Sequence, residues 1–283
     1  MDAHSCPLPE RRAPARQRKP TARATHWSRS TAGYANAWRR ALHSCRMPDF
    51  LLVSCEHGGN RIPTAYRHLF ADCGALLRSH RGVDIGALRL ARDMAQALSA
   101  PLHACTVSRL LIEINRSPHH RHLYSAQTRD APPQLRRELL DRYYLPYRNA
   151  VQARIADALE HGARVVHVSC HSFTPELHGE VRNADVGLLY DPSRAGERCL
   201  CRHWRDACKR TAPELKVRMN YPYAGIADGF ITYLRRQFPA ERYVGIELEL
   251  NQRHALDSAG HWLAVRSAVV EALKQALAAA GRE

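Results

Sequence analysis

The sequence predicts an α/β protein, one domain built on a mostly parallel sheet. Three observations carry this reading. Short apolar, β-branched runs recur between longer stretches of helical spacing, the pattern of strands joined by crossover helices. No Pro/Gly-rich linker divides the chain after residue 47. With 283 residues the chain is long enough to bury a sizeable core.

The strand candidates are DFLLVS (49–54), LHACTV (102–107) followed by RLLIEI (109–114), RVVHVSC (164–170), DVGLLYD (185–191), a weaker KVRMN (216–220) and YVGIELEL (243–250). Helical spacing marks GALRLARDMAQAL (86–98). Pro133 suits the first turn of a longer helical stretch, Pro146 should kink or split it, and Gly162 closes it. Further helices fall near 194–209, 228–237 and 259–280.

The formal charge of +15 would suit a nucleic acid or an acidic surface. It is unevenly spread: residues 1–46 hold ten Lys or Arg against two acids, which leaves +7 for the other 237 residues. That stretch is rich in Arg, Ala, Ser, Thr and Pro, with no apolar run to offset the entropy of ordering, so a disordered basic extension is expected. Met47 offers an alternative start; an organelle-targeting segment and a nucleic-acid arm are the other readings of the tail. No secretory apolar stretch and no run of about 18 apolar residues occurs, which points to a soluble, cytoplasmic protein with no membrane partner. Nine cysteines without a CxxC pair fit reduced thiols.

In sheets of this kind, polar residues just past the carboxyl ends of strands converge on the ligand crevice. EHGGN follows the first strand, Asn115-Arg116-Ser117 the strand at 109, and His171-Ser172 the strand at 164, while the last strand carries Glu247 and Glu249. His57 and His171, each at a strand end, are the leading metal ligands, and the glycines after His57 leave room for a ligand beside the backbone. A catalytic zinc takes about three protein ligands and keeps one position for water. The third ligand is open among Asp84, Glu56 and Asn60. Asp84 ranks first, although it is also a candidate helix N-cap. Glu56 adjoins His57, and neighbours in an extended chain point to opposite faces. The Asn60 amide is a poor zinc ligand.

Glu247 and Glu249 share a strand face, and a buried carboxylate near an activated water suits a general base. Arg109 and Arg116 offer planar forks matched to a substrate carboxylate. His119, His120 and His122 read as a loop rather than a preorganised metal tract. A Ser172 or Cys170 nucleophile beside His171 finds no GxSxG elbow to support it.

In this order and spacing, SCEHGGNRIP, VDIGA, SRLLIEINRS, HVSCHSF, NYPYAG and IELELN resemble the N-formylglutamate amidohydrolase family over residues 49–275. The resemblance implies a zinc-carboxypeptidase-like fold over residues 47–283, a single-domain three-layer sandwich around a mixed, mostly parallel sheet. It implies one zinc, or another divalent ion, at the carboxyl edge of the strands. It also implies cleavage of the formamide of N-formyl-L-glutamate, a step of histidine degradation, or of a related N-acyl amino acid. Carried over, the motifs fall on His57, Gly59 and Pro63, on Asn115 and Arg116, on His171 and Ser172, and on Glu249. Asn220 and Tyr223 of the NYPYAG block join Arg109, Asn115 and Ser172 as substrate-binding residues. In carboxypeptidases the first ligand block is HxxE; here its fourth place is Asn60, which keeps Asp84 in the set. The EHGG form resembles the broader branch of the family.

The expected chemistry has His57, His171 and a carboxylate holding zinc, Glu249 taking a proton from water, Arg116 or Arg109 facing the oxyanion, and a small acidic amide as substrate. The alternatives are a zinc hydrolase of another amide or peptide, and a nucleic-acid-binding protein that works through residues 1–46. For the latter no recognition motif is present.

Overall fold

In the computed structural model, which describes residues 49–281, the strands are β1 (Asp49–Cys55), β2 (Leu102–Ala104), β3 (Arg164–Phe173), β4 (Glu176–Leu177), β5 (Glu180–Val181), β6 (Val186–Leu189), β7 (Val217–Met219) and β8 (Tyr243–Asn251). The helices are α1 (Gly74–Arg78), α2 (Ala87–Leu98), α3 (Pro133–Leu139), α4 (Leu145–Glu160), α5 (Ala195–Thr211), α6 (Phe230–Gln237), α7 (Gln252–Ala255) and α8 (Ala259–Ala280). The basic stretch over 1–46 and the alternative start at Met47 lie outside the described residues. One sheet has the order β2-β1-β3-β8-β6-β7. Its first four strands run parallel, β6 runs against β8, and β7 follows β6, so the sheet is mixed and mostly parallel.

Side chains alternate across a strand, and here the two faces of the sheet differ. Val53 and Cys55 of β1, Val166, Val168 and Cys170 of β3, and Val244, Ile246, Leu248 and Leu250 of β8 share one face and pack with α2, α5 and α8. Trp204 of α5 is wholly buried there, its indole N–H donating to Val269 O at 3.1 Å; truncating such a side chain costs about 3–5 kcal/mol. On the other face Leu52, Val165 and Tyr243 pack against α4 and α6. Farther along the same strands that face turns polar, first with Ser54, His167 and Ser169, then with His171 and Glu249, all buried. Buried polar groups need partners. His167 has two, Tyr243 Oη and Ser54 Oγ, each at 2.9 Å.

RLLIEI (109–114) is not a strand. Leu111, Ile112 and Ile114 are buried as a strand's would be, but the backbone turns, with Leu111 N–H donating to Ser108 O and Glu113 N–H to Leu123 O. A short apolar run carries no period that separates a strand from a buried loop. β2 likewise stops at Ala104, short of residue 107. The helical stretch begun at Pro133 is interrupted as expected: a π segment, Leu140–Tyr144, joins α3 to α4, with Pro146 as the second residue of α4, where it has no N–H to give to the helix ladder.

Candidate active site

Past Cys55 the chain turns through Glu56 and His57, and the N–H of Asp84 donates to His57 O at 3.0 Å, which fixes the two segments together. Asp84 does not cap α2; Gly86 takes that position, at φ 86°. The Asp84 carboxylate instead points inward, its Oδ2 lying 3.2 Å from Nδ1 of His57 and 2.9 Å from Nδ1 of His171. One ligand atom from each of these three buried residues lies within 4.8 Å of the other two. Two imidazoles and a carboxylate converging on one point make the donor set of a catalytic divalent ion, so the residues fit a metal.

Carboxylates stand behind both imidazoles. Nε2 of His57 lies 2.5 Å from Glu113 Oε1, and Arg109 Nε donates to the other oxygen of Glu113 at 2.7 Å. Nε2 of His171 lies 3.1 Å from Glu56 Oε2. Glu56 also accepts from Ser169 Oγ at 2.5 Å and from Tyr147 Oη at 2.9 Å. Such partners fix an imidazole's tautomer and angle: with the proton on Nε2, each Nδ1 presents its lone pair to the centre. Glu56 therefore sits behind His171, and Asn60 is exposed.

The charges follow from these contacts. Burial opposes ionisation of Glu113, but Arg109 and His57 hold its carboxyl well below the usual range. At Glu56 burial is outweighed by His171 and Ser169, and at Asp84 by His57, His171 and Arg109. Glu249 goes the other way. Burial, reinforced by Asp84 and Glu247, outweighs His171 and pushes its carboxyl up to about 8. Its Oε2 is buried with no hydrogen-bond partner among the described residues.

A cavity of about 160 Å³ opens on this cluster. His57, Asp84, His171, Glu249, Arg109, Arg116, Asn115, Ser172 and Tyr223 all line it, together with Glu247 and, from the loop after β7, Ala224, Ala227 and Asp228. Asn220 does not; at φ 50° it turns the chain, and its Oδ1 accepts from Tyr190 N–H at 2.9 Å and Gly225 N–H at 3.2 Å. Arg109 reaches the cavity but gives its guanidinium to Glu113 and Asp84. Asn115 Oδ1 accepts from Phe230 N–H at 2.8 Å, and Ser172 Oγ donates to Ile85 O at 2.8 Å. Arg116 Nη1 donates to Asp228 O. The room beside Gly59 is taken by the fold rather than by a ligand: a Cβ there would stand 2.4 Å from Thr106 O. His119 and His122 are exposed in a loop.

Glu113 and Asp228 are the residues that sequence reasoning missed. A signal for Glu113 exists, since an acid inside the apolar run RLLIEI is costly to bury without a partner.

The profile of the N-formylglutamate amidohydrolase family matches residues 50–256. The chain belongs to this family. The matched span takes in every residue of the cluster, from His57 to Glu249, so this N-formylglutamate amidohydrolase family member carries its buried His-Asp-His group within the family region. It is similar to a gene product of Agrobacterium tumefaciens, at 28% identity and a TM-score of 0.67, with 81% of this chain and 90% of that one covered. It is also similar to N-formylglutamate amidohydrolase from Ralstonia eutropha, at 20% identity and a TM-score of 0.56, with 81% and 93% covered, a likeness of fold. A metallo-carboxypeptidase from Burkholderia cenocepacia gives a TM-score of 0.35 at 15% identity, with 83% and 57% covered, too weak a likeness to compare. No curated protein matches the chain. Among the described residues, no helix is long and apolar enough to cross a membrane.

Proposed function

We propose that this amidohydrolase-family protein is metal-dependent and cleaves the formamide of N-formyl-L-glutamate or the amide of a related N-acyl amino acid. The observation that carries the reading is the convergence of His57 Nδ1, His171 Nδ1 and Asp84 Oδ2 in one cavity with Glu249, whose buried Oε2 has no partner. A buried carboxylate oxygen left alone is costly to a fold and suits a reacting centre. His57, Asp84 and His171 would hold the ion, which we assign as zinc from the donor set. Bound there, zinc supplies Lewis acidity and brings the pKa of water toward neutrality.

Ionised beside the bound cation, Glu249 takes the proton of the attacking water and returns it to the amine nitrogen as the C–N bond breaks. Glu113 and Glu56 keep the two imidazoles oriented through their Nε2 atoms. Arg116 is anchored through one Nη to Asp228 O, and its other donors have no partner among the described residues. They serve the substrate carboxylate or the charge that develops on the carbonyl oxygen.

The test is release of the free amino acid from N-formyl-L-glutamate and a panel of N-acyl amino acids, using protein stripped by a chelator and then reloaded. Activity that is lost on stripping and restored by about one zinc per chain is expected. Full activity after stripping sinks the reading.

A further inference from the structure

Beside the cavity the surface opens into a groove of about 1350 Å³ that shares Asp84, Arg109, Ser172 and Tyr223 with it. The groove is thus continuous with the candidate active site and several times larger. Its solvent-facing wall carries Arg81, Arg121 and Arg129, the last paired with Asp130 at 3.3 Å, with His80, His122 and His178, against one exposed lining acid, Glu176. Asp84 and Glu113 also border it, but both are buried and bound to Arg109 and to histidines. The small cavity has the opposite balance. Asp84, Asp228, Glu247 and Glu249 line it, Arg109 is committed to two carboxylates, and Arg116 is the cation left to a substrate.

A substrate can therefore place one carboxylate beside the reacting amide, and any further carboxylates meet cations only along the groove. Isolated surface cations are ordinarily solvated and weak. Gathered in a concavity they focus field and raise the local concentration of an anion, and guanidinium forks match planar carboxylates.

We propose that the groove binds an anionic chain continuing from the scissile amide, so that the preferred substrate is an N-acylated acidic peptide rather than a lone N-acyl amino acid. The proposal rests on the amidohydrolase reading of the site.

The test uses full-length, zinc-loaded protein and three substrates: N-formyl-Glu, N-formyl-Glu-Glu-Glu and N-formyl-Ala-Ala-Ala. Calorimetric titration with N-formyl-Glu-Glu-Glu and with an oligonucleotide of equal charge runs in parallel, for the wild type and for an Arg81→Glu/Arg121→Glu variant. The acidic tripeptide should exceed both other substrates by about tenfold in kcat/KM, the gain of one charge-assisted contact. That gain should fall with salt and vanish in the variant, while the rate on N-formyl-Glu, which has a single carboxylate left to reach the groove, changes less. Equal rates on N-formyl-Glu and the tripeptide, or an advantage that survives both charge reversals, would overturn the proposal. If nothing is cleaved, the amidohydrolase reading fails and the titrations decide the groove. Tripeptide binding that the variant loses supports it; no binding, or tighter binding of the oligonucleotide, overturns it.

Discussion

Glu113 stands behind His57, its Oε1 2.5 Å from the imidazole Nε2, and its other oxygen is held by Arg109. Glu113 does not line the cavity, so it acts on the reaction through His57. Glu113→Gln keeps the shape and removes the charge. Metal affinity should fall by about 10–100-fold, read by competition with a chelating dye, with the rate at saturating metal less affected. An unchanged affinity would show that the imidazole needs no support.

Asp84→Asn and Glu249→Gln should fail in different ways. The first exchanges a charged oxygen donor for an amide and should lose bound metal, read by elemental analysis. The second leaves the His-Asp-His set whole and should keep its metal, while kcat drops by about 10²–10⁴. Loss of metal from Glu249→Gln would move that residue into the ligand set.

His167 sets a pH dependence of stability. Burial pushes its imidazole down to about 4, whereas the unfolded chain takes up the proton near pH 6.5. Its contribution is fully present above the unfolded value and is lost as pH falls from about 6.5 through about 4. The whole is worth about 3 kcal/mol. Denaturant midpoints measured between pH 7 and 4 should therefore fall less steeply for His167→Gln than for the wild type, and parallel curves would exclude this origin.

Gly187 pairs with Glu249 across the sheet, and a Cβ there would stand 1.9 Å from Tyr221 O. Gly187→Ala must push back the loop that brings Tyr223, Ala227 and Asp228 to the cavity. Stability should drop by about 1–3 kcal/mol and KM should rise, read from denaturant curves and steady-state rates. A wild-type KM would mean that the loop does not shape the substrate site.

The strand ends were the most legible part of the sequence. DFLLVSC and RVVHVSC break from apolar residues into His57 and His171, and a strand fixes the direction of such a side chain locally. The third member of the cluster was not legible by the same means. Asp84 lies 27 residues from His57 and 87 from His171, and its preference over Glu56 depends on how the chain turns after Cys55. RLLIEI was misread because burial alone made it look like a strand, which hid the one acid that supports His57. The reversal of β6 was equally hidden, since strand direction is decided by connections and not by the residues within Val186–Leu189. Asn220 shows the limit of carrying a motif over: its residue type matched, but its amide oxygen is spent on holding Tyr190 and Gly225.

The sheet face shared by Leu52, Val165, Tyr243, His171 and Glu249 passes from oil to acid along single strands. This divides one length of chain into a foundation and a workbench. The two ends are tied at few points, among them Asn115 Oδ1 to Phe230 N–H and Glu56 to Tyr147 Oη. The loop after β7 forms one wall of the workbench and contributes nothing to the apolar cluster at the foundation. Selection for a new amide can act there first, with the fold as a bystander.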